Sequence, residues 1–238
     1  MLQTLLMMIL FAANLVQAAF TGQEEKRELT IDADGVETLD IEAGAGSLNV
    51  SGIAGTNRIL VIATIEIPDA HADKARQIIA EDLVLSLEKH GSRAALDGWF
   101  GNSRWSFDES PRVNLDVRVP EGLALNIEDR SGSVEIRDVL GSIELDDGSG
   151  SIRSTDNGGV LTIRDGSGSI EIERSGGDVR IVDGSGSITV AGVDGSVTVE
   201  DGSGSIDARD IAGDLLVGDD GSGSFDYSGV AGRVVADD

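Results

Sequence analysis

The chain has 238 residues and carries 43 Asp+Glu against 18 Lys+Arg, a formal net charge of -25. Phosphates would be repelled rather than neutralised, which excludes nucleic acid as a partner and disfavours a bare anionic lipid surface. Cysteine is absent, so disulfides, thiolate metal sites, a cysteine nucleophile and a lipid-modified cysteine are excluded as well.

Residues 5–16 form an apolar run interrupted by Asn14, and Val16-Gln17-Ala18 reads as a small-residue cleavage site. The run is shorter than the roughly 20 apolar residues that span a bilayer. The pattern predicts a signal peptide over 1–18, a mature start at Ala19 and no transmembrane segment in the mature chain. Export to the periplasm, the cell surface or the medium follows. Residues 19–36 read as a lead-in. Beyond them the core must be built from Ile, Val and Leu, because aromatics make up only 3% of the chain. Such side chains suit a thin, regular interior.

Residues 37–122 read as a first coil followed by an excursion. Ala45-Gly46-Ser47-Leu48-Asn49-Val50 matches Ser131-Gly132-Ser133-Val134-Glu135-Ile136 position by position. Between these copies the pattern changes. A strand is predicted over 59–67 and a helix over 69–81, with Pro68 ahead of it and Asp69 as N-cap. Strands follow at 83–87 and 113–119. Pro120-Glu121-Gly122 then turns the chain into Leu123. The excursion reads as a cap that covers one end of the repeats and blocks edge-to-edge growth.

Residues 123–238 are dominated by a repeat. Ser149-Gly150-Ser151-Ile152 recurs at Ser167, Ser185 and Ser203 with a step of 18 residues, and a last copy at Ser222 follows after 19. A second apolar pair lies between the copies, for example Ile143 with Leu145 and Leu161 with Ile163. The two series interleave at nine residues, so each half-repeat is a short strand with inward positions i and i+2. Such a strand cannot bury its apolar face alone, and stacking in register on the equivalent strand of the next coil solves this. The fold class predicted is all-β: a parallel β-solenoid of about 18-residue coils, two short strands per coil, with an N-terminal cap containing strands and one helix. An antiparallel sandwich of hairpins would not require identical spacing from coil to coil.

The order Leu39-Asp40-Ile41-Glu42-Ala43-Gly44-Ala45-Gly46-Ser47, then Val119-Pro120-Glu121-Gly122-Leu123, then repeated Gly-Ser-Gly-Ser-Ile, resembles the bacterial β-strand-repeat family labelled "putative adhesin". The resemblance runs from about residue 37 to the end. It implies contact with a protein or glycan at the cell envelope. The family defines no catalytic residues to carry over.

Four groups of residues stand out as candidate sites. Asp129, Asp147, Asp165, Asp183, Asp201 and Asp220 share one phase of the repeat. As a divalent column, Asp147, Asp165, Asp183 and Asp201 would make this a calcium-binding protein of the β-roll kind. The β-roll motif, however, places Asp after its glycines, and here Asp precedes them. As turn formers, each carboxylate accepts the amide two residues on. The in-phase serines read as hydroxyl ladders for the corners, because a catalytic serine would be unique and close to a histidine. Trp99, Phe100, Trp105 and Phe107 fall within nine residues, in a Gly- and Ser-rich stretch that reads as a loop. They form either a partner-binding cluster or the core of the cap. His71 and His90 lack metal spacing.

No cofactor is implied and the chain does not read as an enzyme. The leading expectation is an exported interaction scaffold of the cell envelope or exterior. The alternative is a structural periplasmic module that binds a small ligand or an envelope protein through its cap. A polysaccharide-cleaving β-helix would need a unique acidic cluster on inserted loops, and these coils carry no insertions.

Overall fold

The computed structural model describes residues 18–21, 24–68, 70–101, 110–218 and 221–236. The apolar run at 5–16, Asp69, Trp105, Phe107 and Asp220 lie outside the described residues. Among the described residues no helix is long and apolar enough to cross a membrane.

The N-terminal elements are β1 (Ala18–Thr21), β2 (Glu24–Asp32), β3 (Thr38–Ile53), β4 (Arg58–Glu66), α1 (Ala72–Asp82), β5 (Leu83–His90), β6 (Arg93–Phe100) and β7 (Arg112–Pro120). The repeats then begin with β8 (Ala124–Arg137), β9 (Ile143–Asp147), β10 (Gly150–Asn157), β11 (Leu161–Asp165) and β12 (Gly168–Ser175). They continue through β13 (Val179–Asp183), β14 (Gly186–Val193), β15 (Val197–Asp201) and β16 (Gly204–Ile211). The last strands are β17 (Leu215–Val217), β18 (Gly223–Val230) and β19 (Val234–Ala236).

The repeats stack as a parallel β-solenoid. One stack contains the second half of β8, then β10, β12, β14, β16 and β18, with Ile152, Ile170, Ile188 and Ile206 in register. The other contains the first half of β8, then β9, β11, β13, β15, β17 and β19. β3 is the coil before β8. It pairs with β8 in parallel from Thr38–Ala124 to Ser51–Arg137, so both strands run through both stacks.

The apolar columns lie inside. Ile143, Leu161, Val179, Val197 and Leu215 are buried, as are Leu145, Ile163, Ile181, Val199 and Val217 beside them. Each such side chain contributes about 1.5–3 kcal/mol of burial free energy. The spacing predicts two inward positions per half-repeat, and the structure adds a third. In one stack it is the aspartate that ends the strand. In the other it is Val139, Asn157, Ser175, Val193 or Ile211, three residues past the previous inward position. The extra residue before each of these has a left-handed backbone: Asp138, Asp156, Arg174, Gly192 and Asp210 all have positive φ. This is a bulge repeated coil after coil, and it returns the following side chain to the interior.

Asn157 shows what a polar residue needs there. Its Oδ1 accepts the Val139 amide at 2.8 Å, and its Nδ2 donates to Ser154 Oγ at 2.7 Å and to the Ile136 carbonyl at 3.3 Å. Asn157→Ala is expected to cost about 1–3 kcal/mol in urea denaturation, because it leaves buried partners unmet. A cost as small as that of a surface change would show that water reaches this position.

The excursion continues both stacks. β6 pairs in parallel with the first half of β3, and β5 pairs antiparallel with β6. β7 pairs in parallel with the second half of β3, and β4, β2 and β1 follow antiparallel. α1 connects β4 to β5 and buries Ala75, Ile78 and Ile79 in the common core. It starts at Ala72, later than the predicted 69, and His71 occupies its N-cap without a side-chain hydrogen bond. β2 lies within the predicted lead-in, and β6 is a strand the sequence pattern does not announce.

Candidate functional site

Asp147, Asp165, Asp183 and Asp201 end β9, β11, β13 and β15, and Asp129 holds the same place in β8. All five pair in register down the stack. They alternate with the outward residues of their strands, so each carboxyl lies inside the corner, at most 7% exposed. In Asp147, Asp165, Asp183 and Asp201 one oxygen accepts an amide two residues on. Ser149 donates to Asp147, Ser167 to Asp165, Ser185 to Asp183 and Ser203 to Asp201, at 3.1–3.2 Å. The second oxygen of Asp129, Asp147, Asp165 and Asp183 is buried without a hydrogen-bond partner.

These surroundings shift Asp129, Asp147, Asp165 and Asp183 upward, and burial is the main cause each time. Asp129 is pushed up to about 7 by burial and then by the Asp147 carboxylate. Asp183 is pushed up to about 6 by burial and by Asp165, with Asp201 adding to it. Asp147 and Asp165 are raised too, and the corner amides pull both part of the way back. Among the described residues, no three His, Asp or Glu side chains converge as metal ligands would.

At the cap end the column stops at Ala43, which pairs with Asp129. A cleft of about 290 Å³ opens there, bordered by Glu42, Ala43, Glu128, Asp129, Arg130 and Asp147. The glycine amides of the corners do not depend on the predicted serine hydroxyl ladders. Corner amides are met by backbone carbonyls of adjacent coils: Gly150 donates to Ser167, Gly168 to Ser185 and Gly166 to Asp147, each at 3.0 Å.

Trp99 and Phe100 are the last two residues of β6, not part of a loop. The strand ends there because Gly101 follows, its amide donating to Asp82 at 2.8 Å. Phe100 packs partly buried against the core. Trp99 sits close over Gly44, where even a Cβ would come within 2.9 Å of it. Its ring is half-buried and carries the Arg130 guanidinium 4.8 Å from the ring centre, a cation–π contact. The aromatic pair therefore lies beside the cap end of the aspartate column. His90 sits 3.3 Å from Glu88 on the exposed face of β5.

The outer surface of the coils is made of ion pairs between neighbouring turns. Arg153 pairs with Glu171 at 2.8 Å, Arg164 with Glu144 at 2.8 Å and Arg180 with Glu200 at 2.6 Å. These pairs are exposed and screened by solvent, so they contribute little to stability.

The architecture is that of an all-β solenoid protein with an antiparallel extension at its N-terminal end. Three crystal structures resemble it in shape. A "putative cell adhesion protein" from Clostridium sporogenes shares 12% identity, over 90% of this chain and 99% of its own, with a TM-score of 0.39. A "putative adhesin" from Bacteroides fragilis shares 11%, over 88% and 95%, with a TM-score of 0.43. A "putative lipid binding protein" from Parabacteroides distasonis shares 16%, over 90% and 97%, with a TM-score of 0.37. No family model matches the chain, and no curated protein does.

Proposed function

We propose that this chain is a non-enzymatic, exported interaction scaffold, adhesin-like in role, that meets a protein or glycan at the cell envelope through its cap. The observation that carries this is the contrast between the two halves. The coils repeat one acidic, ion-paired surface with no lysine after Lys89. Tight contact needs large anchors that can be desolvated. Trp99 and Phe100 are such side chains, and Trp105 and Phe107 follow within a few residues.

The test compares wild type with a Trp99→Ala, Trp105→Ala double variant, on glycan arrays and on envelope fractions, with circular dichroism as the folding check. The double variant is expected to stay folded and lose binding. A folded variant that keeps every contact would sink the assignment and move recognition to the coils, where only weak, multivalent contact is available.

A second reading has its own observation. A cleft of about 380 Å³ on the cap is bordered by Ile53, Leu60, Arg58 and Arg118. It favours a small ligand with an apolar body. Failure of the aromatic variant to change binding, together with loss in Arg58→Ala, would support this reading instead.

A further inference from the structure

We propose that the buried aspartate column is a proton-binding ladder, in which carboxyls of successive coils share protons as acid–carboxylate hydrogen bonds. The register places Asp129, Asp147, Asp165, Asp183 and Asp201 one above another. Strands in a sheet lie about 4.8 Å apart, so each carboxyl stands beside those of the coils before and after it, and a side-chain rotation is enough to bring two oxygens together. In Asp147, Asp165 and Asp183 one oxygen is already engaged by a serine amide of the corner. The other is buried and has no hydrogen-bond partner in the protein. An ionised carboxylate left so is costly, and it must be neutralised.

Among the described residues no cation is buried beside these carboxyls. The other buried polar side chains are Ser51, Ser154, Asn157 and Ser175, none of them ionisable. Along the same strands Glu128, Asp146, Arg164 and Glu200 are exposed on the outer face. At the cap end stand Glu42 and Arg130, and the Arg130 guanidinium is held over Trp99. Asp129, Asp147, Asp165 and Asp183 form no ion pair with Lys, Arg or His among the described residues. A metal ion would need several oxygens converging on one point, whereas these oxygens are strung along a line. A proton needs only two. Taken up from solvent, it sits on one carboxyl, and the new O–H donates to the free oxygen of the next coil.

The ladder makes stability depend on pH with a definite sign. In the unfolded chain an aspartate loses its proton near pH 3.9. In the fold the upward shifts keep protons bound to higher pH, up to about 7 at Asp129. The native state therefore holds more protons than the unfolded state across that window. Stability is greatest below the unfolded value and is lost as pH rises through the raised values.

The experiment is urea denaturation of the whole chain at about pH 5 and about pH 8, at fixed ionic strength. Asp165→Asn with Asp183→Asn replaces two carboxyls by neutral isosteres of the protonated form. Glu135→Gln with Asp194→Asn removes two charges from exposed positions as the control. The wild-type midpoint is expected to drop on going to the higher pH. The ladder variant should lose at least roughly half of that drop and the control none. Equal flattening in both variants would overturn the proposal, because general charge repulsion would then explain the slope. A calcium-induced rise in the wild-type midpoint that is absent from the ladder variant would overturn it too, by showing a metal in the column. If the ladder variant does not fold, carboxyl carbon NMR of the wild type decides. At least two aspartates should titrate above about pH 5, and the idea fails if all titrate in the ordinary range near 3.9.

Discussion

Ile170→Asp is expected to abolish cooperative unfolding of the chain, while its neighbour Glu171→Ala changes stability by less than about 1 kcal/mol. Ile170 is 1% exposed and sits between Ile152 and Ile188 in the central column. Losing its burial and leaving a gap costs about 2–5 kcal/mol. The new carboxylate adds several more, because an unpaired charge is taken out of water. Together these reach the whole stability of an ordinary domain, about 5–15 kcal/mol. The fold does hold carboxyls inside, at Asp165 and Asp183, but only at the corner. There a serine amide is free to donate, and a second carboxyl stands in the next coil. At position 170 the amides on either side are engaged in the parallel ladders to β10 and β14. Glu171 points outward and meets Arg153 at 2.8 Å in an exposed pair. Urea midpoints of the two variants decide the matter, and equal losses would mean that the inward and outward faces have been exchanged.

The phase of the core is legible in the sequence because a period of 18 residues leaves little choice. A side chain that stacks on its equivalent must be inward in every coil or in none. The long-range pairing of β3 with β8 is legible for the same reason, since Gly46 and Gly132 mark the same corner in two matching segments. The interior aspartates are harder to see. Ile143, Leu145 and Asp147 follow strict alternation, which points Asp147 inward, yet its charge argues for solvent. The corner amide and the neighbouring carboxyl, both invisible in a one-dimensional pattern, settle that conflict. The repeated bulge is hidden likewise: Asp138, Asp156, Gly192 and Asp210 are types that tolerate a left-handed backbone, but Arg174 in the same phase is not, so the column does not read as one. β6 escapes because its inward positions are Ala94, Leu96 and Gly98, two of them too small to read as core. The small residue at 98 has a reason: a Cβ there would fall 2.7 Å from the Leu115 side chain. As for the aromatic cluster, its chemistry is legible, but its first two rings are strand residues tied to the cap. That ties the proposed contact surface to β6 and to the Arg130 corner.

Gly168→Ala is expected to disrupt the stack almost as severely as the buried charge, although it adds only one methyl group. A Cβ at 168 would lie 1.6 Å from the carbonyl oxygen of Gly150 and 2.7 Å from its carbonyl carbon. Both are backbone atoms of the adjacent coil, so no side chain can swing aside. The coil itself would have to lift. Lifting strains the hydrogen bonds that close the corner, Gly150 to Ser167 and Gly168 to Ser185, each at 3.0 Å. It would also separate Asp147 from Asp165 and Ile152 from Ile170, which share that corner. The backbone adds its own cost, because φ at Gly168 is +150°, where side-chain-bearing residues are strained by about 1–3 kcal/mol. With overpacking of about 1–3 kcal/mol or more, a loss of several kcal/mol is expected. Gly122→Ala is the matched control. A Cβ at 122 meets nothing within 4 Å, and its φ is not positive. That change should be neutral, or stabilising by up to about 1 kcal/mol through the unfolded chain. Melting temperatures of the two variants give the comparison directly. If Gly168→Ala melts with the control, the corners are not in backbone contact, and the coils are held by their apolar columns alone. Glycine recurs at 132, 150, 168, 186 and 204 for this same reason: at each corner the chain passes so close to the one before it that only a hydrogen fits.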